Sequence, residues 1–389
     1  MASSAWKSSV SSVDRYETIS KILEALPSQD MSEAIAIEQA AYDNSASLDE
    51  YTSACNPSKH QKPPSSSSPL SSPSPSPSSQ PQPQPQPQPA PQSGITIGSY
   101  PNCSPISDGV TSEVFRSGTT ALKVIVHSII EPHNPLREIK ILQTLRPPCI
   151  PLIESFRDQE QRLVLAFPYM PLTLADVLDK SSSALDNALI RSVFGDVLRA
   201  LADIHSQGIV HRDIKPSAIL LASPSGPAYL SDFGTAWHPT FSVSSEPPAS
   251  KILDIGTGPY RAPEVLFGDK SYGSPVDMWA FGVMLAEAIR SPPSPPFESR
   301  PVHEDGNQLG LILSIFKTLG TPTPETWPEA KAFRVTPFEL WTVFPQREWD
   351  VILPGVDAGF RDAVARLVRY DGSRATADEL TCIFIFTRF

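Results

Sequence analysis

The chain has 389 residues and four cysteines, and its 42 acidic residues outweigh its 31 basic ones to give a formal net charge of -11 at pH 7. This acidic balance argues against a nucleic-acid-binding surface, which needs clustered lysine and arginine. No apolar run has the length of a membrane span or of a signal-peptide core, and the cysteines lack the spacing of a metal site or disulfide framework. We therefore expect a soluble protein of a reducing compartment, in the cytoplasm, the nucleus or both.

The chain begins with residues 1–55, in which apolar side chains recur twice at helical spacing. The residues that mark these two helices are Ile19, Ile22, Leu23 and Leu26, ending at Pro27, and then Ala34, Ile37, Ala41 and Tyr42, entered near Ser32. The pattern predicts a short helical arm. Two interpretations are open: a small binding module, or a segment that folds only on a partner or on the rest of the chain.

Residues 56–93 are rich in proline, serine and glutamine and include an alternating Pro-Gln tract. Proline at this density prevents both helices and sheet ladders, and the segment has no side chains from which a core could form. We predict a disordered linker between the helical arm and residues 94–389.

The last region opens with a strand and a helix that each carry one conspicuous charge. A lysine lies between apolar residues in Ala121–Ile125, which predicts a strand with Lys123 facing one side. An apolar stripe follows from Arg137 to Leu142, and this helix presents Glu138 as an ion-pair partner for Lys123. Because proline is tolerated only in the first turn of a helix, the helix should begin near Pro135.

Three aspartates follow at motif spacing. The chain reads H-R-D-I-K-P-S-A from His211 and S-D-F-G up to Gly234, which places Asp213 and Asp232 in loops separated by a short stretch. Further on, G-T-G-P-Y-R-A-P-E ends at Glu264 and precedes an apolar helix that begins near Asp277. Each motif alone is weak, but their succession in this order is specific.

These motifs resemble those of eukaryotic protein kinases, over about residues 94–380. Three details resemble the cyclin-dependent kinase branch: the extra arginine Arg261 in Y-R-A-P-E, the segment I-F-K-T-L-G-T-P at 315–322, and Phe167 beside the expected adenine. The resemblance implies an α+β, two-lobed protein kinase fold. An antiparallel sheet with one helix would form the N-lobe (94–169), a mainly helical C-lobe would follow (170–389), and ATP would bind between them.

The resemblance also implies the reaction, which is transfer of the γ-phosphoryl of ATP, with Mg²⁺, to a protein hydroxyl. Asp213 would accept or orient the proton, Lys215 would stabilise the phosphoryl group, and Asp232 would bind magnesium. Thr257 would bridge Asp213 and Lys215. The implied ATP-contacting residues are Lys123, Glu138, Gly109, Val114, Ala121, Phe167, Tyr169, Met170 and Leu220.

Further matched residues would serve the architecture of the site. The resemblance implies that Glu264 pairs with Arg374, and that Asp277 accepts hydrogen bonds from the backbone around Arg212. Arg261 would donate to backbone carbonyls of the substrate-binding loop. These contacts would hold catalytic groups whose geometry tolerates shifts of only about 1 Å.

Two departures from the kinase pattern bear on catalysis. Ala218 stands where an asparagine would bind a second magnesium, and a methyl group cannot coordinate a cation, so Ser217 or a water would have to substitute. Only Gly109 remains of the three glycines of the phosphate-binding loop, the others being Ser107 and Ser112, which loosens the grip on ATP. Two interpretations follow: a working kinase with weakened metal affinity, favoured by the retained catalytic residues, or a pseudokinase scaffold that interacts through the N-terminal arm.

Two other departures bear on regulation. Ile252 occupies the position that cyclin-dependent kinases phosphorylate, so Asp254 or Glu246 is predicted to supply a fixed counter-charge to Arg212. Pro132–Glu138 replaces the cyclin-binding helix signature. Both departures resemble the single-subunit fungal kinases that activate cyclin-dependent kinases, which need neither cyclin nor loop phosphorylation. The resemblance implies a monomer without cyclin, whose protein substrate is a cyclin-dependent kinase.

Overall fold

The computed structural model describes most of the second half of the chain and parts of the first. The described ranges are 18, 21–22, 37–38, 40–42, 45, 47–56, 94–109, 111–126, 131–298, 308–338 and 342–386, with backbone alone for 382–386. The chain divides into two compact units, residues 1–86 and 87–389. The predicted linker lies outside the described residues except for Asn56. Within the described ranges, no helix combines the length and the apolar character needed to cross a bilayer.

The first unit contains helix α1 (Leu48–Ala54), which begins at the N-cap Ser47. A small apolar cluster includes Ile22, Ala41, Tyr51 and Cys55. The expected helical marks Ile19, Leu23, Leu26 and Ala34 lie outside the described residues. The sequence did not predict α1, because a seven-residue helix is too short to show a clear apolar period.

In the second unit, six antiparallel strands form a sheet in the order β1-β2-β3-β4-β6-β5. Their bounds are β1 Ile95–Ile97, β2 Tyr100–Asp108, β3 Ser112–Ser117, β4 Thr120–Ile125, β5 Glu154–Arg157 and β6 Leu163–Pro168. Leu122 and Val124 of β4 are fully buried on one face. Alternation along a strand therefore directs Lys123 to the opposite face.

Helix α2 (Pro135–Leu142) begins where the proline predicted, and its Glu138 pairs with Lys123 of this sheet. The side chain of its N-cap, Asn134, accepts a hydrogen bond from the backbone N–H of Arg137 at 3.0 Å. Pro135 occupies the first turn, where its missing N–H costs nothing. The helix is only two turns long, so contacts with its surroundings must fix its position.

The rest of the unit is mainly helical, as expected for the C-lobe, around a three-stranded sheet β7-β8-β9. The helices and strands are β7 Leu172–Thr173, α3 Leu174–Asp179, α4 Asn187–Ser206, β8 Ile219–Leu221, β9 Ala228–Leu230, α5 Pro263–Leu266, α6 Pro275–Ala288, α7 Leu309–Leu319, α8 Trp349–Ile352, α9 Ala358–Leu367 and α10 Ala377–Phe386. Among the described residues of this lobe, four 3₁₀ turns join them, Pro216–Ala218, Phe233–Thr235, Gly258–Tyr260 and Pro328–Ala332.

Helix α6 forms the centre of this lobe. It is buried along nearly its whole length and packs against α4 and α9. At Gly282 a Cβ would lie 2.6 Å from the Cβ of Leu367, so a side chain there would push α6 and α9 apart. The rigid α6 gives the loops around it a fixed base, and Asp277 lies in its first turn.

Candidate active site

A lysine and two carboxylates meet at one edge of the cleft. The lysine lies on strand β4, one carboxylate lies on helix α2, and the other lies in the loop after strand β9. Lys123 Nζ lies 2.8 and 3.0 Å from the two carboxylate oxygens of Glu138. The same nitrogen lies 3.1 Å from Oδ1 of Asp232, which follows strand β9. The structure therefore places Lys123, Glu138 and Asp232, which lie in three separate sequence motifs, in direct contact.

The electrostatics of this group favour the charged forms of Lys123 and Asp232, whereas burial raises the pKa of Glu138. Burial alone would lower the pKa of Lys123, but the carboxylates of Glu138 and Asp232 outweigh it and raise that pKa above its ordinary value. The Lys123 ammonium lowers the pKa of Asp232 well below its usual range. Glu138 is 2% exposed and Asp232 is 43% exposed. Asp232 is thus the ionised carboxylate that is exposed and can bind a cation. Glu138 is the buried carboxylate that holds Lys123 in place.

The backbone at Asp232 is held in an uncommon conformation. Its φ of 64° and ψ of 60° lie in the left-handed region, which non-glycine residues adopt only when their surroundings require it. The next residue, Phe233, is buried, and its ring meets the His211 ring edge-on at 4.8 Å. His211 in turn makes a 2.9 Å hydrogen bond to the carbonyl of Ser231. Anchoring the phenylalanine turns the Asp232 carboxylate toward the cleft.

A second group of three side chains lies at the catalytic loop. Thr257 donates a 2.6 Å hydrogen bond to one oxygen of Asp213, and Lys215 donates a 2.6 Å hydrogen bond to the other. Lys215 Nζ also lies 3.1 Å from the Thr257 hydroxyl, so the bridge expected from the sequence is present. A carboxylate oriented in this way can accept a proton from a hydroxyl placed beside it.

Asp277 fixes the backbone of this loop from below. Its side chain is 1% exposed and accepts 2.8 Å hydrogen bonds from the N–H groups of His211 and Arg212. His205 lies 2.9 Å away on helix α4. Burial would raise the pKa of Asp277, but the hydrogen bonds from His205 and the loop backbone lower it. The expected contact with the backbone around Arg212 is therefore present.

Two arginines secure the segment that leads to helix α5. Arg374 forms a two-pronged pair with Glu264, at 2.5 and 2.9 Å, and this pair is buried. Arg261 donates to the carbonyl of Gly256 at 2.9 Å. Both contacts agree with the expectation. The Arg374 pair ties the segment to the helical lobe, and the Arg261 contact braces the segment itself beside Thr257.

These groups have the composition and order of a phosphotransfer site, and comparison with known proteins decides the family. Residues 106–382 match the model of the protein kinase domain. The chain belongs to the protein kinase family.

Its relatives narrow this assignment. The kinase is 37% identical over 283 residues to serine/threonine-protein kinase csk1 of Schizosaccharomyces pombe, covering 68% of this chain and 87% of that protein. It is 30% identical over 277 residues to serine/threonine-protein kinase CAK1 of Saccharomyces cerevisiae, covering 59% and 75%. It is 31% identical over 283 residues to cyclin-dependent kinase F-3 of Oryza sativa, covering 70% and 61%. The chain is a serine/threonine protein kinase of the cyclin-dependent kinase-like group, and its family uses ATP and Mg²⁺.

The strand register shows which side chains share the face of the sheet that carries Lys123. Val114, Lys123 and Leu165 lie directly opposite one another on β3, β4 and β6, and therefore share a face. Phe167 lies opposite Ala121, two residues further along that face. Leu165, which the sequence motifs did not single out, is fully buried on this face. Its signal was period-2 alternation, which puts residues 165 and 167 on the same side of β6.

Of the remaining proposed ATP contacts, three lie at the ends of strands of this sheet and one lies in the helical lobe. Tyr169 donates its backbone N–H to the carbonyl of Thr119 at 2.8 Å, directly after β6, and the half-buried Met170 follows it. Gly109 lies in the turn between β2 and β3, where its N–H donates to the Ser112 carbonyl at 3.0 Å. Leu220 belongs to β8 of the helical lobe. Nucleotide contact by these residues stays a prediction.

Ala218 does not fit a second magnesium. It ends the 3₁₀ turn after Lys215 and is 1% exposed, and its carbonyl already accepts hydrogen bonds from the N–H and hydroxyl of Ser231, at 2.9 and 2.8 Å. Ser217 is exposed. In the described part of the chain, no group of three or more His, Cys, Asp or Glu could hold a metal ion. Asp232 suits a magnesium that takes its other ligands from phosphates.

The structure separates the two candidate counter-charges for Arg212. The carboxylate of Glu246 lies 2.6 and 3.1 Å from the two terminal nitrogens of Arg212, and its side chain is 1% exposed. Asp254 is 87% exposed and reaches only Arg261, at 3.4 Å. Glu246 is therefore the partner of Arg212. The sequence could name both acids but could not tell which one folds inward.

Proposed function

We propose that this kinase transfers the γ-phosphoryl of ATP to serine or threonine hydroxyls of other protein kinases, cyclin-dependent kinases first. The observation that carries catalysis is the contact among Asp213, Lys215 and Thr257, together with the ionised Asp232. The resemblance of the sequence to single-subunit fungal kinases that activate cyclin-dependent kinases supports the substrate class.

Each side chain has one task in this proposal. Lys123 binds the α- and β-phosphates and is held by Glu138. Magnesium, when bound with ATP, neutralises charge on the β- and γ-phosphates, and Asp232 is the carboxylate of this chain that would hold it. Asp213 orients the attacking hydroxyl and accepts its proton, while Lys215 places positive charge beside the transferred phosphoryl group.

We further propose that the kinase acts as a single subunit without a cyclin. The N–H of Asn134 donates to the carbonyl of Gly234 at 3.0 Å, so the start of helix α2 is attached to the loop that carries Asp232. The Lys123–Glu138 pair holds the same helix from the sheet. Contacts within the chain thus supply the helix position that an activating subunit would otherwise impose.

One observation favours a second function, a scaffold without catalysis. The position of Ala218 lacks the asparagine oxygen that serves a second magnesium in protein kinases. A scaffold has no chemical need for the hydrogen-bonded arrangement of Asp213, Lys215 and Thr257, and this favours the active kinase. The two functions differ in whether bound ATP is turned over.

The deciding experiment is transfer of labelled phosphate from ATP to a purified, catalytically inactive cyclin-dependent kinase, titrated over magnesium. Asp213→Asn is the negative control, because it removes the proton acceptor but keeps the side-chain size. Transfer that requires Asp213 and increases at high magnesium supports the active kinase. Bound ATP without transfer, in protein shown to be folded, supports the scaffold.

The variant Ala218→Asn tests the metal part of the proposal. A restored amide oxygen should shift the magnesium dependence to lower concentration, with an increase in rate on the order of tenfold at limiting magnesium. Ser217→Asn is the matched control, since it adds the same amide at the exposed neighbouring position. An equal shift in both variants would show that the effect is general and does not come from position 218.

A further inference from the structure

A buried carboxylate of the activation segment joins two arginines that belong to different parts of the catalytic machinery. Glu246 pairs through both oxygens with Arg212, the residue before Asp213. One oxygen also lies 3.5 Å from Nη1 of Arg137, the residue before Glu138 on helix α2. A single side chain therefore contacts the immediate neighbours of both Asp213 and Glu138.

The main chain around Glu246 holds this carboxylate in position. Its N–H donates to the carbonyl of Ser242 at 2.7 Å, and its carbonyl accepts a 2.9 Å hydrogen bond from the indole of Trp237. The N–H of Ile252 donates to the Glu246 carboxylate at 3.0 Å. The carboxylate thus draws residue 252, further along the segment, toward Arg212.

The two buried arginines around Glu246 need a negatively charged partner. Arg212 and Arg137 are 2% and 3% exposed, and buried arginines are costly unless a carboxylate pairs with them. The Tyr272 hydroxyl accepts from Arg212 at 3.2 Å and donates to the Ile252 carbonyl at 2.6 Å, which leaves no negative charge on that side. Burial would raise the pKa of Glu246, but Arg212 and the Ile252 N–H lower it.

We propose that Glu246 is a positioning residue that does permanently what an activation-segment phosphate does in regulated kinases. There, a new arginine–phosphate pair orders the segment. Here, Ile252 cannot carry a phosphate, and its N–H already donates to Glu246. The carboxylate holds the catalytic loop through Arg212 and helix α2 through Arg137, so the kinase needs no modification of this segment. This inference rests on the proposed kinase activity for its rate measurements.

The first test compares two substitutions in the full chain. Glu246→Gln keeps the size and removes the charge, whereas Glu246→Asp keeps the charge and removes one methylene. If charge orders the site, the Gln variant should lose about 100-fold in kcat, since shifts near 1 Å have that effect, while the KM for ATP changes far less. The Asp variant should retain more kcat than the Gln variant. If shape alone matters, the order of the two variants is reversed, and the proposal fails.

The matched control is Asp254→Asn, which removes an exposed carboxylate from the same segment and should leave kcat unchanged. Wild-type protein treated with a protein phosphatase, and shown by intact mass to carry no phosphate, should keep its full kcat. A tenfold or greater loss on phosphatase treatment would overturn the proposal, because the segment would then depend on modification.

Hydrogen–deuterium exchange provides a readout that needs no activity. Glu246→Gln should accelerate exchange in peptides that contain Arg212 and in peptides that contain helix α2, while Asp254→Asn should not. Absence of phosphate transfer by the wild type, with these exchange changes present, would refute the proposed function but support the positioning role of Glu246. Unchanged exchange in the Gln variant would refute the positioning role itself.

Discussion

Two ion clusters lie on either side of helix α2 and use neighbouring residues of it. Glu138 belongs to the first cluster, with Lys123 and Asp232, and this cluster opens to the cleft through the half-exposed Asp232. Arg137 belongs to the second, with Glu246 and Arg212, whose side chains are almost completely buried. The first cluster can exchange partners with a nucleotide and a cation. The three side chains of the second are shielded from solvent, so they keep the partners they have.

The first cluster is therefore suited to binding a ligand, and the second to holding parts of the protein in fixed positions. Removing one member of a buried ion pair leaves an uncompensated charge and is strongly destabilising. An ion pair at the edge of a cleft is partly solvated, so its loss affects function more than folding. Substitutions in the first cluster should therefore act mainly on the rate, whereas substitutions in the second should lower the stability as well as the rate.

The largest expected effect separates the clusters by rate. Lys123→Met should reduce kcat/KM by about 1,000-fold, because the phosphates lose the cation that orients them. The melting temperature should fall less than in Glu246→Ala, since the half-exposed Asp232 leaves this cluster partly open to solvent. Phosphate transfer and thermal unfolding of the same preparation measure both quantities. The control is Lys317→Met, an exposed substitution on helix α7, which should retain normal transfer. A normal rate in Lys123→Met would show that Lys123 does not contribute to the site.

The next effect separates the clusters by stability. Glu246→Ala should lower the free energy of unfolding by about 3–5 kcal/mol, because Arg212 and Arg137 are left buried without their carboxylate. Denaturant titration of the wild type, the Ala variant and Lys123→Met measures this. The loss in the Ala variant should clearly exceed that in Lys123→Met. Equal losses would mean that the second cluster is as solvated as the first.

A smaller effect is expected on the pH dependence of stability at acidic pH. The pKa of Glu246 is lowered from its ordinary value of 4.5, so the stability it contributes is present above that pH and is lost as the pH falls through the folded-state pKa. The stability difference between the wild type and Glu246→Gln should therefore be constant near neutrality and shrink below about pH 4.5. Glu348→Gln, at an exposed position, should follow the wild type at every pH. A difference that stays constant down to strong acid would show that ionisation of Glu246 does not contribute.

The two clusters also differ in how far the sequence could predict them. Lys123, Glu138 and Asp232 each lie in a short motif whose spacing fixes its place in the fold, and the two-lobed architecture follows from the same motifs. Glu246 lies in a stretch without periodicity or motif. Its partner is 34 residues away, and its inward direction depends on hydrogen bonds from Trp237 and Ile252. The sequence therefore left Glu246 and the exposed Asp254 as equal alternatives.

The smallest expected effect lies at the rim of the buried cluster. Glu131 pairs with Nη1 of Arg137 at 3.3 Å, but its side chain is 29% exposed. Solvent screens such a pair, and rim pairs typically contribute about 0–1 kcal/mol. Glu131→Gln should therefore change kcat by less than about threefold and leave the melting temperature near that of the wild type.

Glu131→Gln is also the sharpest comparison for Glu246→Gln, because both remove a carboxylate from the same arginine without changing its size. The buried position should dominate, since Glu246 alone links Arg137 to Arg212 and so joins helix α2 to the catalytic loop. If both variants lost kcat equally, the charge on Arg137 would matter more than that link. Helix α2 would then be held from its exposed end, and the proposed bridge through Glu246 would have no special role.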